Sequence, residues 1–333
     1  MNKKQAAFMG IFDETKTFVR KHYSDRFKRS FATISDTIRF DMVTSELIQL
    51  SIVPRGTKAP FVKLGGFSKE SITPDMIKGT AAYTPEEILE LRAGQMDVAI
   101  GGAVVNNKQY IIDKKIMMLK TGYENTVEAM CAELFLTGKF KLVESGDEID
   151  FGFPEPEEIT FTQGTDNWEL ILIDAIDKYV EKNRKYPELI EVDREILKAM
   201  IKDKNLNQQQ IAFGFTQIVP NTHSLEQRYP TLNILDMTVK ALVPAVGVDG
   251  EAISTTNMMY LSNTESFVKA YTGIPNVQGN ELGMEKSEYI IDEVIEHDPP
   301  AKKFIFTSGF CPIIPLVNSI MRFKITIKPA AKK

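Results

Sequence analysis

The sequence predicts an α+β fold, on three observations. A stripe of apolar residues with helical spacing runs from residue 112 to residue 134. Ahead of it lies a turn-punctuated, β-type segment, and behind it, from about residue 166, helices alternate with short strands up to a strand-rich end. The bulk numbers fit a globular chain. Its 333 residues are 43% hydrophobic and 26% charged, enough for one large or two ordinary domains and too apolar for disorder.

The stripe is the firmest element. Ile112, Ile116, Leu119, Tyr123, Val127, Met130 and Leu134 recur at steps of three and four, one face of a helix more than six turns long. We place this helix at 109–137, with Gly122 a mild interruption and Gly138 the C-terminal stop. Charged heptad flanks are missing, so it is no coiled coil.

The preceding segment, 46–82, reads as a long β-hairpin. Strands at Ile48–Val53 and Phe61–Leu64 flank turn residues Pro54, Gly56, Pro60, Gly65 and Gly66. From residue 54 to 82, Arg55, Lys58, Lys63, Lys69 and Lys78 outnumber Glu70 and Asp75. A long basic hairpin with little apolar surface of its own reaches out to touch something else. Thr84, Pro85 and Glu87 then spell a helix start, with Gly94 its end and a β-like run at Met96–Val105.

Residues 1–45 read as basic and locally helical. The first 40 carry nine Lys or Arg against four acids, and Phe8, Ile11, Phe12 and Phe18 form a sparse stripe. Two readings fit, an ordinary first helix or an arm packed on a neighbouring subunit. The acidic stretch 144–158 is expected as a solvated loop, since its carboxylates lack calcium-loop spacing. Helices are expected at Trp168–Asn183 and Asp193–Lys204. Strands are expected at Leu189–Val192, 211–219, 237–246 and 257–262, and the last 30 residues should return to a sheet.

Enzyme signatures are missing. No phosphate-cradling glycine motif, H-E-x-x-H, G-x-S-x-G or cysteine cluster occurs. The three histidines, His22, His223 and His297, sit far apart in polar contexts. Cys131 and Cys311 lie in apolar stretches and read as buried, reduced thiols, with a Cys–His dyad the remote alternative. We expect no catalytic residues, no cofactor and no metal. The first residues carry no signal-peptide core and no apolar run reaches membrane-spanning length, so a chain that is cytoplasmic or assembles from the cytoplasm is expected. A net charge of −5 argues against general polyanion binding.

Several stretches, in order, carry a family resemblance. They are IVPRGTKAPFVKLGGFSKESITPDMIKG followed by YTPEEI, TVEAMCAELFLTGKFKL, ITFTQGTDNWEL, DMTVKALVPAVGVDGEAISTTNMMYLSNT and KKFIFTSGFCPIIPLVNSIMRFKITI. Together they resemble the lambda-type (E family) major capsid proteins of tailed bacteriophages, which have the Hong Kong 97-type capsid fold. The likeness covers most of residues 50–330 and is poor over about 185–235. It implies an N-terminal arm (1–45), an extended E-loop hairpin (46–82) and a P-domain with a long spine helix (83–165). A mixed α/β A-domain (166–300) and C-terminal strands returning to the P-domain (301–333) complete the expected division.

The resemblance also implies the chain's work. It would be a major head protein that self-assembles, in hexamers and pentamers, into the icosahedral shell around double-stranded DNA. Assembly in the host cytoplasm and location in the virion follow. So do a separate scaffolding protein, a portal and a three-fold decoration protein, with DNA enclosed but not read and no membrane engaged. Inter-subunit contacts are expected at Arg55, Lys58, Lys63, Gly65, Gly66 and Lys69 of the E-loop. Others are expected at Arg26, Lys28 and Arg29 of the arm, facing acids such as those around Glu155–Glu158. Ile112, Ile116, Leu119, Tyr123, Val127, Met130 and Leu134 would be the spine-helix core, and no Lys–Asn cross-link is implied. Two alternatives stay open: an encapsulin-like nanocompartment shell, told apart by cargo enzymes, and an unrelated α/β enzyme, told apart by a deep polar pocket.

Overall fold

The computed structural model describes residues 3–17, 19–43, 67–89, 107–141, 148–203, 216–219, 231–234, 237–278 and 281–329. The fold is α+β, with mixed helices and sheets.

The chain opens with helix α1 (Lys3–Glu14). Its sparse stripe suffices because aromatic partners come from far along the chain. Phe12 is buried, its ring 5.2 Å from that of Phe306 and 4.6 Å from that of Tyr289. Phe18 lies outside the described residues. Helix stops at Glu14, which corrects the expectation for the rest of 1–45: a single 3-10 turn (Ser24–Arg26) and strands β1 (Arg29–Ala32) and β2 (Ile38–Val43) follow. β-branched and aromatic residues at 38–43 favour a strand there.

β2 pairs antiparallel with β3 (Phe67–Ile72), from Ile38 opposite Ile72 to Val43 opposite Phe67. These two strands embrace residues 44–66. The strands expected at 48–53 and 61–64, and Arg55, Lys58, Lys63, Gly65 and Gly66, lie outside the described residues. Paired strands thus begin eight residues before the expected boundary at 46. β4 (Ile77–Tyr83) leads into α2 (Pro85–Leu89), where the Thr84 hydroxyl oxygen accepts from the Glu87 amide at 3.4 Å, the expected cap. The expectations for Gly94 and Met96–Val105 fall outside the described residues.

Helix α3 (Asn107–Thr137) has 31 residues, about 46 Å at 1.5 Å each. Gly122 faces solvent and does not interrupt it. Gly138 ends it at φ +81°, its amide donating to Leu134 O at 2.9 Å. A Cβ there would lie 2.7 Å from the Phe153 ring, so both backbone and space require glycine.

β5 (Lys139–Lys141), β6 (Glu148–Asp150) and β7 (Glu157–Thr162) follow. They correct the solvated-loop expectation for 144–158. Residues 142–147 are outside the described set, but the remainder contains β6 and buries Phe151 and Phe153, whose apolar gain outweighs the surrounding acids.

Next come α4 (Trp168–Asn183), β8 (Leu189–Val192) and α5 (Arg194–Lys202). Asn167 caps α4 by accepting from the Glu169 amide at 3.3 Å, and Asp193 caps α5 by accepting from the Arg194 amide at 2.7 Å. β9 (Thr216–Val219), β10 (Thr231–Ile234), β11 (Met237–Ala241) and β12 (Met258–Ser262) continue the chain. β13 (Val268–Tyr271), β14 (Ile274–Gln278), β15 (Glu281–Glu285) and β16 (Ile290–His297) come next. β17 (Pro300–Ser308), β18 (Phe310–Ile313) and β19 (Ile320–Lys328) complete it.

Two sheets organise the molecule. One is seven-stranded, in the order β7-β19-β12-β8-β11-β10-β9. Trp168, Leu172 and Ile176 of α4 and Ile196 and Met200 of α5 share its core with Ile190, Met259, Leu261 and Phe323. The other, β16-β17-β4, packs with α1 and the first half of α3 through Phe12, Tyr83, Ile112, Ile116, Phe304 and Phe306. A third core lies between them, where the second half of α3 meets the β1-β13-β18 sheet and the strap at residues 22–27. α3 thus serves two cores along its length.

The last 30 residues divide. β17 joins β4 and β16, whereas β19 lies between β7 and β12 in the seven-stranded sheet. The strands after residue 301 thus join two different sheets. β7, expected before the boundary at 165, also belongs to that sheet.

Candidate functional site

α3 carries a second, polar ladder that the periodicity argument missed. Lys120, Glu124 and Glu128, four residues apart, hold the N-terminal strap against the helix. The Lys120 ammonium donates to Phe12 O at 2.6 Å, and Lys21 pairs with Glu124 at 2.9 Å. The Glu128 carboxylate accepts three successive backbone amides, from His22 (2.9 Å), Tyr23 (2.7 Å) and Ser24 (2.9 Å). One carboxylate so placed satisfies amides that no sheet or helix serves.

Two residues on, the strap grips the other sheet. Arg26 is 6% exposed and donates from Nη1 and Nη2 to the two oxygens of Glu191 on β8, at 2.8 and 2.7 Å. The guanidinium lies 4.7 Å from the Tyr23 ring centre and 4.2 Å from that of Phe135. His22 Nε2 is 2.7 Å from Arg26 Nη2. Burial alone would raise the Glu191 carboxyl, but the Arg26 charge, with hydrogen bonds from His22 and Arg26, outweighs it and holds the group below its usual range. The strap therefore ties α3 to the seven-stranded sheet.

Arg26, expected to face a neighbour, is buried here and pairs through both guanidinium branches with Glu191 of its own chain. Lys28 and Arg29 are exposed, with Lys28 3.6 Å from Glu188. Glu157, expected to face such an arm, is held by Lys178 and Lys182 at 2.9 Å each. Of the E-loop residues only Lys69 lies within a described strand, where its backbone is opposite Asp41. Of the stripe on α3, Ile112, Ile116, Val127, Met130 and Leu134 are buried, and Leu119 and Tyr123 are half-buried.

Among the described residues no catalytic constellation assembles. Cys131 and Cys311 are free and buried, and burial pushes both thiols up, away from the reactive thiolate. Among the described residues no group of three His, Cys, Asp or Glu is arranged to hold a metal. An open groove of about 430 Å³ runs between the strap, α3 and residues 243–250, but its one carboxylate, Glu128, is spent on the strap amides. Among the described residues no helix is long and apolar enough to cross a membrane.

The fold is of the phage-capsid type, as likeness to a solved structure shows. The putative capsid protein of a prophage of E. coli CFT073 superposes with a TM-score of 0.62 at 13% identity, covering 96% of this chain and 98% of that one. The mature capsid subunit of bacteriophage PhiM1 gives 0.49 at 10% identity, over 94% and 89%. The SrpI encapsulin of Synechococcus elongatus PCC 7942 gives 0.43 at 9%, over 97% and 96%. No curated protein matches. The chain belongs to the family described as phage major capsid protein E, which it matches over residues 14–305. Its role is that of a structural capsid protein and not of an enzyme.

Proposed function

We propose that the chain is the major head subunit that builds an icosahedral shell around the double-stranded DNA of a tailed phage or prophage-derived particle, in the lambda manner. The observation that carries this reading is the family match over residues 14–305. On this reading α3 is the spine of a P-domain made with the β16-β17-β4 sheet, and the seven-stranded sheet with α4 and α5 is the A-domain. Residues 46–82 are the E-loop, reaching a neighbour with Arg55, Lys58, Lys63 and Lys69 around Gly65 and Gly66. Lys28 and Arg29 serve contacts between subunits. A separate scaffold, a portal and a three-fold decoration protein complete the particle. A net charge of −5 suits a wall that encloses DNA without adhering to it.

The test is assembly. The chain, expressed with a cognate scaffold, should sediment as particles that appear icosahedral by negative stain; monomers under every condition would overturn the reading. Deleting residues 56–66, which leaves β2 and β3 intact, should abolish particles while the thermal transition of the soluble chain persists. Loss of folding would instead place the segment in the core.

A further inference from the structure

Helix α4 has one face without a partner in its own chain. Its inner face buries Trp168, Leu172, Ala175 and Tyr179 in the core of the seven-stranded sheet. The opposite face begins with Leu170, 60% exposed, and Ile173, 36% exposed. Asp174, Asp177 and Glu181, all exposed, continue it to the last turn. The spacing of these five residues keeps them on a single side of the helix.

This arrangement works against the free chain. Asp174 with Asp177, and Asp177 with Glu181, are like charges at helical spacing, which repel. Glu181 also sets a negative charge in the last turn, where the helix dipole opposes it. Among the described residues no cation pairs with these three acids. Lys178 and Lys182 are turned to Glu157, and Lys185 to Glu265. A cationic segment with apolar residues of its own would relieve the repulsion and cover Leu170 and Ile173.

Residues 47–69 have that chemistry. They contain no acid, and Arg55, Lys58 and Lys63 stand among Ile52, Val53 and Phe61. The longer acid-free stretch 299–333 is taken up by β17, β18 and β19. Val43 of β2 lies opposite Phe67 of β3, so residues 44–66 leave and return at one place. Out and back, they can reach at most about 38 Å, whereas the 16 residues of α4 span about 24 Å.

We infer that the outer face of α4 receives residues 47–66 from a second copy of this chain. Arg55, Lys58 and Lys63 are set against Asp174, Asp177 and Glu181, and the segment's apolar residues against Leu170 and Ile173. The charges fix register and the apolar end supplies burial. Each copy gives one segment and receives one, a head-to-tail contact of the kind that closes into rings. The patch is small for a stable free dimer, so the contact acts by repetition. The inference rests on the shell reading and names the surface that its E-loop meets.

Charge exchange tests it. One variant reverses the segment, with Arg55→Glu, Lys58→Glu and Lys63→Glu. Another reverses the face, with Asp174→Lys, Asp177→Lys and Glu181→Lys. Each should lose particles by sedimentation and negative stain while keeping the wild-type thermal midpoint as soluble chain. All six substitutions together should regain particles. Lys58→Cys with Asp177→Cys, oxidised during assembly, should give a ladder of covalent oligomers that neither single substitution gives. Should a charge variant lose its thermal transition, the cross-link decides. Full assembly by either triple variant, a cross-link confined to one chain, or no recovery with six substitutions together with no ladder overturns the contact and leaves the shell reading standing. A wild-type chain that forms no particles removes both.

Discussion

Replacing Arg26 by alanine removes one partner of a buried, bidentate ion pair and leaves the Glu191 carboxylate without compensation. Breaking such a pair from one side costs about 3–5 kcal/mol, and the guanidinium packed between Tyr23 and Phe135 places this site at the upper end. Unfolding entropy of about 2.1 cal/mol/K per residue, taken over 333 residues, comes to ~0.7 kcal/mol/K. The melting midpoint should therefore fall by about 4–7 °C. Calorimetry of the soluble chain measures this.

The pH profile identifies the cause. Glu191 is held below its unfolded value, so its contribution is present above about pH 4.3 and fades as pH falls through the lower folded value. The gap between wild type and Arg26→Ala should close in acid. Replacing the pair together, Arg26→Met with Glu191→Leu, should cost far less than Arg26→Ala, because no charge is stranded. A single-variant loss under about 1 kcal/mol, or a gap that stays constant with pH, would refute the clamp as the origin.

Three other outcomes are expected. Gly138→Ala should destabilise by more than the ~1–2 kcal/mol of a left-handed backbone, since its Cβ would also strike Phe153; a denaturant midpoint unchanged from wild type contradicts this. Ile116→Ala, at a fully buried site on α3, should cost about 2–5 kcal/mol in the same measurement. Stability should erode as pH drops below about 4, because Asp150 beside Lys139, Glu157 beside Lys178 and Lys182, and Glu188 beside Thr264 and Lys28 are all held low. These groups are part-exposed, so each adds under about 1 kcal/mol. Glu133, raised by burial, works in the opposite sense.

The readable parts of the sequence were those whose signal is local. The stripe on α3 has helical spacing over many turns, and α4 and β8 begin and end at the residues expected of them. Thr84 and Gly138 each write their role in one side chain, or in the lack of one. What escaped depends on distant partners. β2 reads as part of a basic arm until Phe67–Ile72 is laid beside it. Phe151 and Phe153 look solvated among acids because the core that takes them comes from α3 and the strap. The clamp joins positions 165 residues apart, and no window of sequence spans that. Two hints were nevertheless present: a glutamate inside the apolar run Leu189–Val192, and the four-residue step of Lys120, Glu124 and Glu128. The resemblance to capsid proteins came from the order of segments, and the structure added what holds those segments together.

The place of β19 has a consequence for when the molecule can exist at all. This strand enters between β7 and β12, bonded on both sides, yet it is made long after either neighbour. Until it emerges from the ribosome, β7 has no sheet to join and β12 keeps a bare edge. Long-range pairing of this kind closes late and slowly. A chain cut short before Ile320 lacks the strand that joins β7 to the rest of the sheet, so the lobe closes only when the last segment is in place.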